Sequence, residues 1–286
     1  MKPDIVSFFD EATKSVSYIV ADPESKACAV IDVVLDFDAK AARTASDSAD
    51  AVIARLRESG YRLEWILETH VHADHLSAAP HIQAALGGRT GIGENVAKVQ
   101  QTFARVFNAE AAFATDGSQF DVLFKDGARF AIGGLEVEVL HTPGHTPACI
   151  TYVVGDAAFI GDTLFMPDYG TARCDFPNGD SRQLYRSMQR ILALPEETRL
   201  FHCHDYAPGG RDYAWESTVR QQKRENIHLC DGKDEAAFAA FRDARDATLD
   251  MPALILPAVQ VNMRAGALPP PEDNGTSYLK LPLNTL

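Results

Sequence analysis

The sequence predicts a layered α/β protein, an α/β/β/α sandwich with two β layers enclosed by two helical layers. Three observations lead there. Short β-branched and aromatic segments alternate with amphipathic ones in two successive blocks. Apolar residues make up 46% of the chain and charged ones 23%, the balance of a globular protein with a substantial core. Clusters of His and Asp fall at the ends of the strand-like segments, where α/β folds place their sites. Large α/β folds reach 286 residues as one unit, so a single domain over 1–286 is expected, with a helical C-terminal extension from about 215.

Each element has its own signal. DIVSFFD, SVSYIVAD and ACAVIDVV read as strands separated by polar turns. A helix is expected over 45–59, where Val52, Ile53 and Leu56 recur at helical spacing. LEWILETH is an apolar strand running into a histidine cluster; LSAAPHIQAAL and ENVAKVQQTFARVF then read as helices, the second lying over the cleft. Strands return with ARFAIGG, LEVEVLHT, ACITYVVGD and AAFIGDTLF. A helix over 181–193 with Ser181 as its cap precedes the strand TRLFHCHD. Helices are expected at 215–228 and 234–247, followed by an irregular tail containing LPPP.

Composition narrows the partners. With 27 basic and 40 acidic residues the net charge is −13, which disfavours nucleic acid and anionic membranes. No apolar run reaches the roughly 18 residues of a membrane span, and the N-terminal stretch lacks targeting character. The five cysteines (28, 149, 174, 203 and 230) form no C-x-x-C pair, so neither a zinc knot nor a disulfide framework is expected and the cytoplasm is the expected compartment.

The chemistry concentrates at four strand ends. THVHADHLSAA carries His70, His72, Asp74 and His75; HTPGHTPAC carries His145; FIGDTLF carries Asp162; LFHCHDY carries His204. Imidazole and carboxylate are ligands for Zn, Fe and Mn. Histidines at i and i+2 of an extended chain point the same way, so His70 and His72 can converge on one ion. Gly144 permits the tight turn that would aim His145 inward. The other histidines carry blander expectations: His81 a surface residue without partners, His141 a structural hydrogen-bonder, His228 a cation at a helix end; His202 alternates with His204, so both could face the cleft, with His204 favoured. Cys203 should point opposite to its flanking histidines and be buried.

In this order, His70-x-His72-x-Asp74-His75, His145, Asp162 and His204 resemble the signature of the metallo-β-lactamase fold over roughly residues 5 to 228. A narrower resemblance follows: Arg173-x-Asp175-Phe176, HDY at 204–206 and VNMRAG at 261–266 look like the persulfide dioxygenases, which are similar to glyoxalase II but use one non-haem iron. Ala172 and Cys174 depart from the familiar G-R-T-D-F form of that motif. The resemblance implies one Fe(II) per chain held by His70, His145 and Asp162 as the catalytic set, with His72, Asp74, His75 and His204 around it. It implies glutathione persulfide and O2 as substrates, sulfite and glutathione as products, and a homodimer. Arg173, Tyr206, Asn262 and Arg264 become candidate contacts for glutathione near the mouth, although Arg173 paired with Asp175 is an equal structural alternative. The residue types equally allow a two-zinc thioester hydrolase like glyoxalase II, in which His70, His72 and His145 bind one ion, Asp74, His75 and His204 the other, and Asp162 bridges.

Overall fold

The computed structural model describes residues 2–229 and 231–285. The first block runs β1 (Asp4–Asp10), β2 (Ser15–Ala21), β3 (Ala27–Ile31), β4 (Val34–Asp38), β5 (Arg43–Ala45), α1 (Asp47–Glu58), β6 (Arg62–Leu67), β7 (Leu76–Ser77), α2 (Ala79–Leu86), β8 (Arg89–Gly93), α3 (Val96–Val106) and β9 (Val122–Phe124). The second runs β10 (Arg129–Ile132), β11 (Leu135–His141), β12 (Ile150–Val154), β13 (Ala157–Phe159), α4 (Ser181–Leu192), β14 (Arg199–Phe201), β15 (Glu216–Thr218), α5 (Val219–Glu225), α6 (Glu235–Asp246) and α7 (Ile255–Asn262).

Two six-stranded sheets result, ordered β1-β2-β3-β6-β8-β9 and β10-β11-β12-β13-β14-β15. Their inner faces share one apolar layer, with Tyr18, Val20, Trp65 and Leu67 meeting Val137, Val139, Tyr152 and Phe159. Val52, Ile53, Leu56 and Ile82 of α1 and α2 cover the outer face of the first sheet. Leu184, Met188 and Ile191 of α4, with Val219 and Phe238, cover the second. This is the expected α/β/β/α sandwich. Among the described residues no helix is long and apolar enough to cross a membrane.

Several details depart from the sequence expectation. ACAVIDVV is not one strand: the backbone turns at Asp32, whose φ of 54° is left-handed. The next residues then form a separate three-stranded sheet, β5-β4-β7. Ser181 is the first helical residue of α4 rather than its cap; Asp180 takes that place, its carboxylate accepting from the backbone N–H groups of Arg182 and Gln183 at 2.8 and 3.0 Å. The segment from 216 first adds β15 antiparallel to β14 before becoming helical. Helix α7 had no counterpart in the sequence expectation and docks against Leu76 through Ala258 and Val261.

Candidate metal centre

The site lies where strand ends of the two sheets meet. The chain leaving β6 carries His70, His72, Asp74 and His75; the second sheet supplies His145 between β11 and β12, Asp162 after β13, and His204 after β14. Bonds between the sheets fix these ends together. The Val16 N–H donates to the Cys203 carbonyl at 2.7 Å and the Ile150 N–H to the Thr69 carbonyl at 3.0 Å, while the Tyr152 hydroxyl donates to the Glu68 carbonyl at 3.0 Å. Two glycines allow the close approach. Gly144 has φ 145°, and a Cβ there would meet the Leu184 backbone at 2.4 Å; Gly161 has φ 52°, and a Cβ would meet Thr69 at 2.9 Å.

Each histidine is oriented by an acceptor behind it. Nδ1 of His145 donates to the Arg173 carbonyl at 2.8 Å, that of His75 to the Leu76 carbonyl at 3.0 Å, and that of His204 to the Lys14 carbonyl at 3.2 Å. A carbonyl can only accept, so these rings carry hydrogen on Nδ1 and turn the Nε2 lone pair toward the cleft. His70 Nδ1 lies 3.0 Å from Thr69 Oγ1, whose hydroxyl donates to Asp32 Oδ2 at 2.8 Å, so His70 takes the same tautomer. His72 is reversed. Its Nε2 lies 2.9 Å from Asp32 Oδ1 and 3.5 Å from Glu68 Oε2, leaving Nδ1 to face Asp74 Oδ1 at 3.8 Å.

The donor atoms converge. His70, His145 and Asp162 each offer one atom within 4.8 Å of the others, and so do His72, Asp74 and His75. Asp162 faces His70 and His145 on one side and His204 on the other: Oδ2 is 4.0 Å from His70 Nε2 and 3.7 Å from His145 Nε2, and Oδ1 is 3.5 Å from His204 Nε2. His70 Nε2, His72 Nδ1 and Asp162 Oδ1 are buried with no hydrogen-bond partner. A buried polar atom without a partner costs about 1–3 kcal/mol, and a cation answers that cost where imidazole nitrogens and carboxylate oxygens share one focus. The residues present therefore fit a metal. Burial, with the neighbouring imidazoles, holds His70 well below the usual imidazole range, and burial lowers His75 and His145 as well. All three are thus neutral, as ligands must be.

Asp32 and Glu68 were not singled out from sequence. Both are buried around His72. Burial, the largest influence on each of the three groups, opposes charge, and it raises Glu68. The Asp32 and Glu68 carboxylates nevertheless lift His72 well above its usual range, while His72 keeps Asp32 low. Asp32 is braced further by the Thr69 N–H at 2.8 Å and the Cys203 thiol at 3.1 Å. Cys203 is therefore buried as expected, but as a donor to Asp32. The available signals were an acid at the end of ACAVID and one immediately before the Thr-His motif.

A cleft of about 270 Å³ opens onto the centre, lined by Asp74, His145, Asp162 and His204 at its floor and by Phe165, Tyr169, Phe176 and Tyr206 on its walls. Arg173 and Tyr206 line it. Arg173 is also committed to Asp175 by two bonds of 2.6 Å and to the Asp250 carbonyl at 2.5 Å. The Phe176 ring stands edge-on to His145 at 4.8 Å, so Arg173-Cys174-Asp175-Phe176 wraps His145. Asn262 and Arg264 sit elsewhere than the mouth. The Asn262 amide donates to the carbonyls of His72 and His75 at 2.9 and 2.7 Å and accepts from the Ser77 N–H at 2.7 Å. Arg264 grips the Glu110 carboxylate at 2.6 and 2.8 Å and lies 4.4 Å over the Phe113 ring.

The remaining histidines divide. His141 Nε2 bonds the Phe124 carbonyl, and His202 is spent on the Leu164 carbonyl and the Ser217 hydroxyl, both away from the cleft. His81 does have a partner, Asp50 at 2.8 Å. His228 is no helix-end cation: it is buried, its Nδ1 accepts from the Thr171 N–H at 3.0 Å, and burial with nearby Arg242, Arg245 and Lys233 lowers it to about 4. Cys28, Cys149, Cys174 and Cys203 are buried free thiols; Cys230 lies outside the described residues.

The family model described as the metallo-β-lactamase superfamily matches residues 11–204. A probable metallo-hydrolase of Burkholderia pseudomallei is 57% identical over 99% of both chains. Glyoxylase B2 of Dictyostelium discoideum is 50% identical over 94% of this chain and 92% of its own. Persulfide dioxygenase ETHE1 of Bos taurus is 30% identical over 92% and 89%. The crystal structure of ETHE1 from Myxococcus xanthus superposes with a TM-score of 0.73 at 28% identity, covering 92% of this chain and 100% of that one. The chain spans 65% of the length of the beta-lactamase hydrolase-like proteins of Xylella fastidiosa and Agrobacterium fabrum that it also matches. With its seven ligand-type residues at four strand ends of a two-sheet sandwich, the chain belongs to the metallo-β-lactamase superfamily.

Proposed function

We propose that this metalloenzyme is a persulfide dioxygenase, converting glutathione persulfide, dioxygen and water to glutathione and sulfite. The observation that carries the reading is the position of Arg173-Cys174-Asp175-Phe176. The stretch that resembles the persulfide dioxygenases wraps His145, with the Arg173 carbonyl on its Nδ1 and the Phe176 ring against its edge. The near full-length likeness to ETHE1 chains supports it.

In this reading His70, His145 and Asp162 would hold one iron(II), as a two-histidine, one-carboxylate set. Bound iron supplies the redox chemistry between sulfur and dioxygen that redox-inert zinc does not. The chain's own residues do the rest. Carbonyl acceptors keep Nε2 of His145 and His204 free of hydrogen and aimed at the cleft. Phe165, Tyr169 and Tyr206 wall the cleft with aromatic surface, which limits water around a reactive sulfur anion. Asp74 Oδ2 accepts from the Ser15 hydroxyl at 2.9 Å and lies 3.3 Å from His204 Nε2, which holds its carboxylate at the floor of the cleft.

A second reading has specific support. Asp162 presents Oδ2 to His70 and His145 and Oδ1 to His204, so it would suit a two-zinc centre, and the relatives at 50 and 57% identity carry the names glyoxylase and metallo-hydrolase. Those names support the hydrolase alternative, here a glutathione thioester hydrolase, more than the dioxygenase. One experiment separates the two. Protein loaded anaerobically with iron(II) is given glutathione persulfide, and metal content, oxygen uptake and sulfite are measured on one sample. About one iron per chain with substrate-dependent oxygen uptake supports the dioxygenase. Two zincs per chain, no oxygen uptake and hydrolysis of S-lactoylglutathione support the hydrolase.

A further inference from the structure

A second, smaller space lies behind the segment that carries the histidine cluster. Val71 and Ala73 alternate with His70, His72 and Asp74, and both belong to the apolar cluster beneath α3 and α7. Within that cluster is a void of about 20 Å³, lined by Val71 and Ala73, by Val99 of α3, by Val259 of α7 and by Phe176. Among the described residues of the lining, Thr146 has the one polar side chain. Its hydroxyl is engaged, lying 3.1 Å from the Cys149 thiol and accepting from the Ala148 N–H at 3.3 Å. A water fits in about 10–15 Å³ but needs roughly 2–4 polar partners, which these side chains do not offer. The void suits a small apolar molecule.

The void shares walls with a space on either side. Ala73 and Phe176 also line the cleft, so a methyl group and a ring stand between the void and the metal centre, where Phe176 is edge-on to His145 at 4.8 Å. Pro147, two residues after His145, also lines an outer groove of about 350 Å³ that Thr102 and Arg105 of α3 border. Groove, void and centre thus follow one another inward from the surface. Tyr169 and Tyr206, the walls of the cleft, line neither the groove nor the void.

We propose that this void is a holding site for dioxygen and, with the groove outside it, a side entrance by which the gas reaches the centre while the thiol substrate fills the cleft. This rests on the dioxygenase reading above. Dioxygen is uncharged and apolar, and it leaves water readily for apolar surroundings. Glutathione persulfide is charged and far larger than the void, so the cleft is its only way in. The two substrates then arrive on opposite sides of the Phe176 ring.

The test has two readouts. Crystals of wild type, Val99→Leu and Val259→Ile are pressurised with krypton, an apolar probe that needs neither metal nor turnover. Each substitution adds one methylene to the lining, and krypton is expected in the wild-type void and in neither variant. Iron-loaded proteins are then assayed with glutathione persulfide at varied dioxygen. One methylene too many in an apolar pocket costs a ligand about tenfold. The KM for dioxygen should therefore rise about tenfold in both variants, with kcat at saturating oxygen and the KM for the thiol retained. Krypton missing from the wild-type void, or a KM for dioxygen equal in all three proteins, overturns the assignment while the dioxygenase reading stands. If iron-loaded wild type takes up no oxygen with glutathione persulfide, that reading fails and the inference falls with it.

Discussion

Replacing Asn262 by alanine removes three hydrogen bonds at once. The side chain is 4% exposed and ties the His72 carbonyl, the His75 carbonyl and the Ser77 N–H to α7 at 2.9, 2.7 and 2.7 Å. Each buried group left without a partner costs about 1–3 kcal/mol. Water entering the vacated volume recovers part of this, so a loss of about 3–5 kcal/mol is expected. At roughly 2–3 °C per kcal/mol for a chain of this size, the melting temperature should fall by about 6–15 °C. The substitution also frees the segment between His72 and His75, so metal occupancy after dialysis should fall with stability. Asn262→Asp is the sharper control: it keeps the acceptor for Ser77 but sets a carboxylate oxygen against two carbonyls, and it should be at least as damaging. The assays are thermal denaturation and metal content of the same preparations. A variant that melts within about 2 °C of wild type with full metal, yet binds a glutathione ligand more weakly, would refute the brace and return Asn262 to the mouth of the cleft.

Four further outcomes are expected. Asp162→Ala should lose metal and activity together; full occupancy measured by elemental analysis removes Asp162 from the ligand set. His204→Ala should retain most of the iron under the dioxygenase reading, whereas complete metal loss points to the two-metal arrangement. Arg211 holds Asp205, a fully buried side chain, by two bonds of 2.6 Å; Arg211→Ala leaves that carboxylate with the Ala214 N–H and should cost about 3 kcal/mol in urea denaturation, and an unchanged midpoint contradicts this. His228 titrates near 4 when folded against an ordinary value of 6.5, so the unfolded chain takes up a proton there first. Stability is full above pH 6.5 and declines as pH falls toward 4. A urea-midpoint profile of His228→Gln should be flatter than wild type across that window by up to one proton, and parallel profiles would count against a neutral buried His228.

The sandwich and the seven ligand-type residues were legible because their signals are local: strand segments rich in β-branched and aromatic residues, ending in residue types that bind cations. What was not legible depends on distant parts of the chain. Asp32 and Glu68 matter through His72, which no spacing rule connects to Asp32. Asn262 and Arg264 were assigned to the mouth by motif, but what an amide or guanidinium does depends on the nearest carbonyl or carboxylate, here His72, His75 and Glu110. Helix α7 was hidden by Pro257 inside the apolar run ILPAVQVN. Pro257 stands in the first turn, where the N–H it lacks has no helical partner. The β4–β5 hairpin was missed because its alternation is masked by the acids Asp36 and Asp38; Asp36 is spent on the Ser48 hydroxyl and N–H at the start of α1.

Four of the seven ligand-type side chains come from the first sheet and three from the second. Neither half of the chain carries the set alone. A cation seated among them therefore acts as a clasp across the sandwich, and its release on unfolding is a gauge of whether the two halves are joined. Capture by the His70, His145 and Asp162 set requires the sheets to have closed on each other, and a chelator competes with that closure itself as well as with the reaction. Cells short of the metal would then lose this protein twice, once as an idle enzyme and again as a chain whose halves come apart more readily under proteolysis.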